Sequence, residues 1–325
     1  MTPNVDERID KKTTSILVVV LSVILSLGLM AIIDKTDKNL HPVLTSWTDN
    51  SVRSSIIYFV DTINNQHGTN YVKDEDRIAV FDIDGTIMVE KPLSLEMSFF
   101  QDSIPESLKN KHPYNALIKR DFKTLFKGNN YNKIFNLYAN TPIEDYKEKI
   151  RKWMRGNVHP RYNRNYLKLV YKPMKELIAY LKDNRFEVYL VTGSENTIVR
   201  TFSRKILNVP EDHVIGSEAH YSYADGIITR TKDENDINIG KNKPINIERV
   251  IGRKPIVAFG NTDDDLPMME YVGTTEKMKL VGLITHTDKE REYVYSENEK
   301  VLDMSNKKGW LIVDMKTDFK ELFDE

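Results

Sequence analysis

The sequence predicts an α/β protein: a buried parallel sheet, a mostly helical insertion after its first strand, and a single membrane-spanning helix ahead of both. Three observations carry this reading. Four short apolar runs, at 78–81, 188–191, 256–259 and 280–283, alternate with helical patterns, as strands buried on both faces do. Between about residues 94 and 171 the strand signal disappears and helical periodicity takes over. Residues 13–33, between Lys12 and Asp34, carry no charge at all.

Taken in order, residues 1–12 form a charged N-terminal tail. The 21 uncharged residues of 13–33 would span about 31 Å as a helix, which matches a bilayer core. A cleavable signal peptide is the rival, with Ser26-Leu27-Gly28 as a passable cleavage site, but its apolar region is ordinarily shorter, so an uncleaved anchor is expected. Arg8, Lys11 and Lys12 on one side, against Lys35 and Lys38 on the other, bias the N terminus inward and the rest of the chain to the extracytoplasmic side. Residues 34–75 read as a polar linker and an amphipathic helix with Val52, Ile56, Ile57, Val60 and Ile63 on one face.

The first part of the core occupies 76–93 and the helical insertion 94–170. Within the insertion, Thr141-Pro142-Ile143-Glu144 reads as a capping box with proline at the first helical position, followed by Tyr146, Ile150 and Trp153 on one face. Residues 171–325 return to the sheet through a helix marked by Met174, Leu177, Ile178 and Leu181.

Composition narrows the chemistry. Lys plus Arg total 47 against 48 for Asp plus Glu, a net charge of -1, which gives no global electrostatic reason to expect nucleic-acid binding. The absence of cysteine excludes thiol nucleophiles, disulfides and thiolate metal sites, so any metal must use oxygen or nitrogen ligands.

What chemistry there is concentrates at strand ends, where ligands bind in open parallel sheets. The first strand ends in Phe81-Asp82-Ile83-Asp84-Gly85-Thr86. Strand alternation would point the two carboxylates apart, whereas a turn beginning there would bring both to one site. An Asx-type turn is the bland alternative. An EF-hand loop fails, because no third acidic residue precedes the glycine and no Glu stands at the twelfth position. After the second run, Thr192-Gly193-Ser194 would present a hydroxyl and backbone N–H groups at a helix start, suited to gripping phosphate. Lys243 stands before a helical run at 245–251, and the next strand ends in Gly260-Asn261-Thr262-Asp263-Asp264-Asp265.

These four groups in this order resemble the haloacid dehalogenase superfamily, and within it the phosphoserine-phosphatase-like branch of membrane-associated or periplasmic phosphohydrolases, a branch that includes acid-phosphatase-like enzymes. The resemblance runs from about Ser46 to the C terminus and takes in His159-Pro160-Arg161, Ala258-Phe259-Gly260-Asn261 and Gly309-Trp310 as well as the strand-end motifs. It implies a Rossmann-like sheet with a helical cap inserted after the first motif. It also implies an Mg²⁺-dependent phosphomonoester hydrolase acting through an aspartyl-phosphate on a small phosphorylated metabolite.

In that reading Asp82 is the nucleophile, and Asp84 protonates the leaving alcohol and then activates water. Thr192, with Gly193 and Ser194, holds phosphate oxygens. Lys243 balances the charge, with Lys241 a less favoured substitute. The implied Mg²⁺ ligands are Asp82, the Asp84 backbone carbonyl and the fourth motif, where Asn261 replaces the family's usual acidic residue and Asp265 carries the electrostatic share, directly or through water. Glu90 resembles a carboxylate that reads a substrate ammonium, one position nearer the nucleophile than the family places it; a surface-flap role is equally open. For the residues ending the insertion, loop structure is expected of His159 and substrate binding of Arg161.

An acid at Asp84 favours phosphoryl chemistry over dehalogenation. A phosphotransferase or phosphomutase, and a non-catalytic membrane-anchored binding module, stand as alternatives. The partners implied are a small phosphorylated substrate and the membrane, with no nucleic acid.

Overall fold

The computed structural model of the protein describes residues 43–324. The tail, the apolar segment 13–33, its cleavage site and its flanking charges lie outside the described residues. Among the described residues no helix is long and apolar enough to cross a membrane.

The strands are β1 (Ile78–Phe81), β2 (Glu187–Glu195), β3 (Val214–Ser217), β4 (Tyr221–Ala224), β5 (Ile227–Arg230), β6 (Val257–Gly260), β7 (Leu280–Thr285) and β8 (Leu311–Asp314). Six of them form one parallel sheet in the order β3-β2-β1-β6-β7-β8, and β4 and β5 form a separate antiparallel hairpin. The four apolar runs are the four central strands. The two edge strands carry no such signal: β3 holds two large apolar residues before Gly216, and β8 is mostly half-buried.

The order reverses at β1. From it the chain passes first to β2 and β3 on one side, then to β6, β7 and β8 on the other. The carboxyl ends of β1 and β6 therefore flank the crevice of a topological switch point, the place where open α/β sheets bind ligands.

Helix α1 (Ser51–Asn64) is capped by Asn50, whose side chain accepts from the Val52 and Arg53 N–H groups. It buries Ile56, Phe59, Val60 and Ile63, so Phe59 completes a face on which Val52 and Ile57 are only partly covered. Helices α2 (Leu95–Ser103) and α3 (Ile143–Gly156), with short helical turns between them, build the insertion. Helix α4 (Lys172–Asp183) leads into β2 and buries Met174, Leu177, Ile178 and Leu181 as its periodicity requires. One face of the sheet, through Val80, Ala258, Val281 and Leu283, packs on α5 (Asn242–Ile251), α6 (Leu266–Gly273) and α7 (Glu299–Lys308).

Two local expectations give way to tertiary structure. No capping box forms at the start of α3. Pro142 is itself the N-cap and accepts no side-chain bond there, because the preceding backbone is committed elsewhere: Thr141 O accepts the Arg230 N–H at 3.1 Å and Asn140 N–H donates to Arg230 O at 2.7 Å. The β4–β5 hairpin thus attaches to the insertion, and the helical layer draws on two separate stretches of chain. Nor does a helix begin at Thr192. β2 continues through a register shift between Val191 and Glu195, and the next helix opens at Asn196.

The middle of the sheet is tightly packed. The Phe81 and Phe259 rings stack with centroids 5.4 Å apart, and a Cβ added at the neighbouring Gly282 would lie 2.2 Å from the Phe259 ring. A Gly282→Ala substitution is therefore expected to destabilise the fold by about 1–3 kcal/mol through overpacking, read as a lowered urea midpoint at unchanged slope. An unchanged midpoint would contradict this packing.

Candidate active site

At the switch point the backbone beyond β1 continues its ladder for one bond, Asp82 N–H to Phe259 O at 3.0 Å, and then turns. Ile83 O accepts from the N–H groups of Thr86, Ile87 and Met88, and Gly85 adopts φ +82°, a left-handed conformation that glycine takes without strain. A side chain at Gly85 would also strike Asn261 Nδ2, 2.0 Å from an added Cβ. This turn brings Asp82 and Asp84 to one cavity of about 390 Å³, shared with Glu90, Gly193, Ser194 and Lys243.

The three charged strand-end groups lock together. Lys243, in the first turn of α5, is buried and places Nζ 2.7 Å from Asp82 Oδ1 and 2.5 Å from Asp265 Oδ1. Burial alone would lower the lysine's pKa, but the two carboxylates outweigh it and hold Lys243 above its ordinary range. Burial and the neighbouring Asp265 push Asp82 upward against the pull of Lys243. Lys241, by contrast, is exposed.

Asp265 turns its other oxygen inward as well. Oδ2 accepts from the Asn261 N–H at 2.9 Å and the Thr262 N–H at 3.1 Å. With both oxygens bonded to protein donors, its charge acts through Lys243 and through the backbone it orients.

Asp84 accepts a hydrogen bond from Ser194 Oγ at 2.8 Å. Burial raises its pKa to about 6; the Ser194 bond opposes this and the nearby Glu90 adds to it. At pH 7 about a tenth of such a group is protonated, so it can give a proton and take one back. Thr192 is fully buried beneath, its hydroxyl accepting the Ser194 N–H at 3.0 Å, which leaves Gly193 and Ser194 to line the cavity.

The donor set suits a hard divalent cation. Asp82 Oδ2 has no protein partner among the described residues, while Oδ1 is held by Lys243. Asn261 is buried against the Gly85 turn, with Oδ1 accepting from Thr86 Oγ1 at 3.1 Å and Nδ2 facing Glu90 Oε2 at 3.4 Å. No group of three or more His, Asp or Glu side chains positioned to hold a metal occurs among the described residues, so a cation here would also need backbone oxygen, the Asn261 amide and water.

Glu90 lies in the cavity wall and not on an outer flap. Its pKa is raised by burial, against the pull of Lys91. Arg161 does not reach the cavity. Its guanidinium, expected to bind substrate, donates instead to the Lys289 and Glu290 carbonyls at 3.0 and 3.2 Å and lies 4.6 Å from the Tyr293 ring centre. His159 bonds Lys91 O through Nε2 at 2.8 Å and accepts the Arg161 N–H, which makes it a loop residue.

The chain's match to the haloacid dehalogenase-like hydrolase family spans residues 79–270, from β1 through the fourth motif. The protein belongs to this family. No curated protein matches the sequence. Among solved structures, a conserved protein of unknown function from Anaerococcus prevotii DSM 20548 is 17% identical, with 82% of this chain and 92% of that chain covered at a TM-score of 0.53. A protein of unknown function from Bordetella pertussis Tohama I is 15% identical over 74% and 98% of the two chains, with a TM-score of 0.50. A phosphoserine phosphohydrolase-like protein from Francisella tularensis subsp. tularensis SCHU S4 is 18% identical over 73% and 94%, with a TM-score of 0.42. The first two likenesses concern the fold alone.

One residue of this haloacid dehalogenase-like hydrolase escaped the sequence reading although it had a signal. Glu96 is a lone acid in the otherwise apolar and small-residue stretch 93–100. It is buried at the cavity wall, accepting from Tyr131 OH at 2.6 Å and from the Glu195 N–H at 2.6 Å, and burial outweighs both bonds to raise its pKa to about 8. The folded protein thus keeps a proton that the unfolded chain releases in the ordinary glutamate range. The stability this proton represents is present below about pH 4.5 and is lost as pH rises towards about 8. In Glu96→Gln the fall in unfolding free energy between pH 5 and pH 8 should be shallower than in the parent; parallel denaturation profiles would refute the assignment.

Proposed function

We propose that the protein is an Mg²⁺-dependent phosphomonoesterase that works through an aspartyl-phosphate and acts on a small phosphorylated compound. The observation that carries this reading is the division of labour at one turn: Asp82 gives Oδ1 to Lys243 and leaves Oδ2 without a protein partner, while Asp84, bonded to Ser194, lines the same cavity with its pKa raised to about 6.

Lys243 restrains the Asp82 carboxylate and neutralises part of the charge that a phosphate dianion brings. Asp82 Oδ2 attacks phosphorus as the bond to the leaving oxygen breaks, and Asp84 gives that oxygen its proton. Asp84, now ionised, takes a proton from water; the resulting hydroxyl attacks the same phosphorus, releasing inorganic phosphate and restoring Asp82. Gly193 lines the cavity and would offer its backbone N–H to a phosphate oxygen, whereas the Ser194 N–H is already given to the Thr192 hydroxyl. Mg²⁺, held by Asp82, the Asp84 carbonyl and Asn261, would supply positive charge that eases approach of one anion to another.

Asp82→Asn should abolish release of p-nitrophenol from p-nitrophenyl phosphate, by about a thousandfold or more, while leaving the circular dichroism spectrum unchanged. Equal activity in the two proteins would sink the proposed mechanism. Asn261→Asp puts an anionic donor at the Gly85 turn, so the Mg²⁺ concentration giving half-maximal activity should fall several-fold. An unchanged metal titration would show that Asn261 takes no part in holding the cation.

A further inference from the structure

Besides its catalytic groups, the cavity is lined by an apolar set made of Leu93, Met97, Phe122, Phe126, Tyr131 and Ile239. Phe126 is 50% exposed and Ile239 38%, large apolar surfaces that a well-packed wall would ordinarily cover. Phe126 lies between two other rings, with its centroid 6.4 Å from that of Phe122, nearly parallel to it, and 5.2 Å from that of Tyr131. Such a surface offers stacking area to a flat ligand.

Charge in the same lining is unbalanced. Among the described residues lining the cavity, the cations are Lys91 and Lys243, and each is already paired. Lys91 Nζ lies 2.8 Å from Glu297, 3.4 Å from Glu90 and 4.7 Å above the Tyr295 ring. Lys243 is held by Asp82 and Asp265. Asp264 and Glu297 add carboxylates, and Arg161 is bound to backbone carbonyls elsewhere. A second anionic group on the substrate would therefore lose water and meet carboxylates without gaining a free partner.

We propose that the alcohol released by this enzyme is a ring-bearing one without an anionic group, seated against Phe122, Phe126 and Tyr131, and that phosphoesters whose alcohol carries a carboxylate or a further phosphate are rejected. This rests on the phosphomonoesterase reading and departs from a substrate such as phosphoserine, whose carboxylate finds no unpaired cation in the lining. The catalytic residues take the phosphoryl group in common, and the apolar wall with its spent lysines sets the difference between one alcohol and another.

Binding of non-hydrolysable phosphonates tests the wall without requiring turnover. Calorimetric titration of the full chain with Mg²⁺ would compare 2-phenylethylphosphonate, its 4-carboxyphenyl counterpart and propylphosphonate. The phenyl compound should bind about tenfold or more tightly than either of the others, and Phe126→Ala should bring its advantage over propylphosphonate below about tenfold. A carboxyphenyl or propyl compound that binds within tenfold of the phenyl one, or an undiminished advantage in Phe126→Ala, overturns the inference. Hydrolysis of benzyl phosphate followed on the same preparation separates the two readings. Turnover without the binding order defeats the specificity alone, and the binding order without turnover defeats the phosphatase reading while leaving the wall's specificity in place.

Discussion

A buried ammonium between two buried carboxylates holds this site together. Lys243, Asp82 and Asp265 are each almost wholly removed from solvent, and a charge placed there without a partner would be very unfavourable. Each member is tolerated because of the others, and breaking a buried pair of this kind costs about 3–5 kcal/mol. The three come from the end of β1, the start of α5 and the loop after β6. Satisfying one lysine therefore fixes the relative position of three segments distant in sequence. The constraint reaches further through Asp265, whose second oxygen orients the Asn261 and Thr262 backbone and so places the Asn261 side chain against the Gly85 turn.

The insertion is tied to the same site by a second buried charge pair. Arg230 at the end of the hairpin meets Glu195 at the end of β2, both essentially unexposed, with the guanidinium 4.1 Å from the Tyr146 ring centre and the Tyr146 hydroxyl donating to the same glutamate. Glu96 accepts the Glu195 N–H. Hairpin, insertion and the shifted end of β2 are thus one hydrogen-bonded unit, and that end of β2 is where Gly193 and Ser194 reach the cavity. His286 donates to Gly85 O at 2.8 Å while its other ring nitrogen faces Glu292 at 3.0 Å, which holds the turn that follows Asp82 and Asp84. The strand-end surface is a set of chain turns, each kept in place by a buried polar contact from outside it.

Much of this was legible from local pattern. The central strands are buried on both faces, so they read as continuous apolar runs; the edge strands β3 and β8 are short or half-covered and leave no comparable trace. The strand-end motifs could be read because carboxylates, a hydroxyl and a lysine next to apolar runs stand out against their surroundings. Glu96 stood out in the same way but belonged to no motif, and its partners Tyr131 and Glu195 are 35 and 99 residues away. The capping box at Thr141 failed for a related reason, since its backbone bonds to Arg230, which no local rule can foresee.

By itself the sequence determined the class of fold, the four central strands and the identity of the groups at the strand ends, because periodicity, burial and turn chemistry act over a few residues. Only the tertiary structure decided which of those groups share a cavity. It turned Asp265 inward to Lys243, sent Arg161 to backbone carbonyls, placed Glu90 in the wall and paired both lysines of the cavity that the apolar rings line. Those outcomes depend on which buried charges find one another across long stretches of chain, and burial makes that pairing compulsory without revealing it in any local pattern.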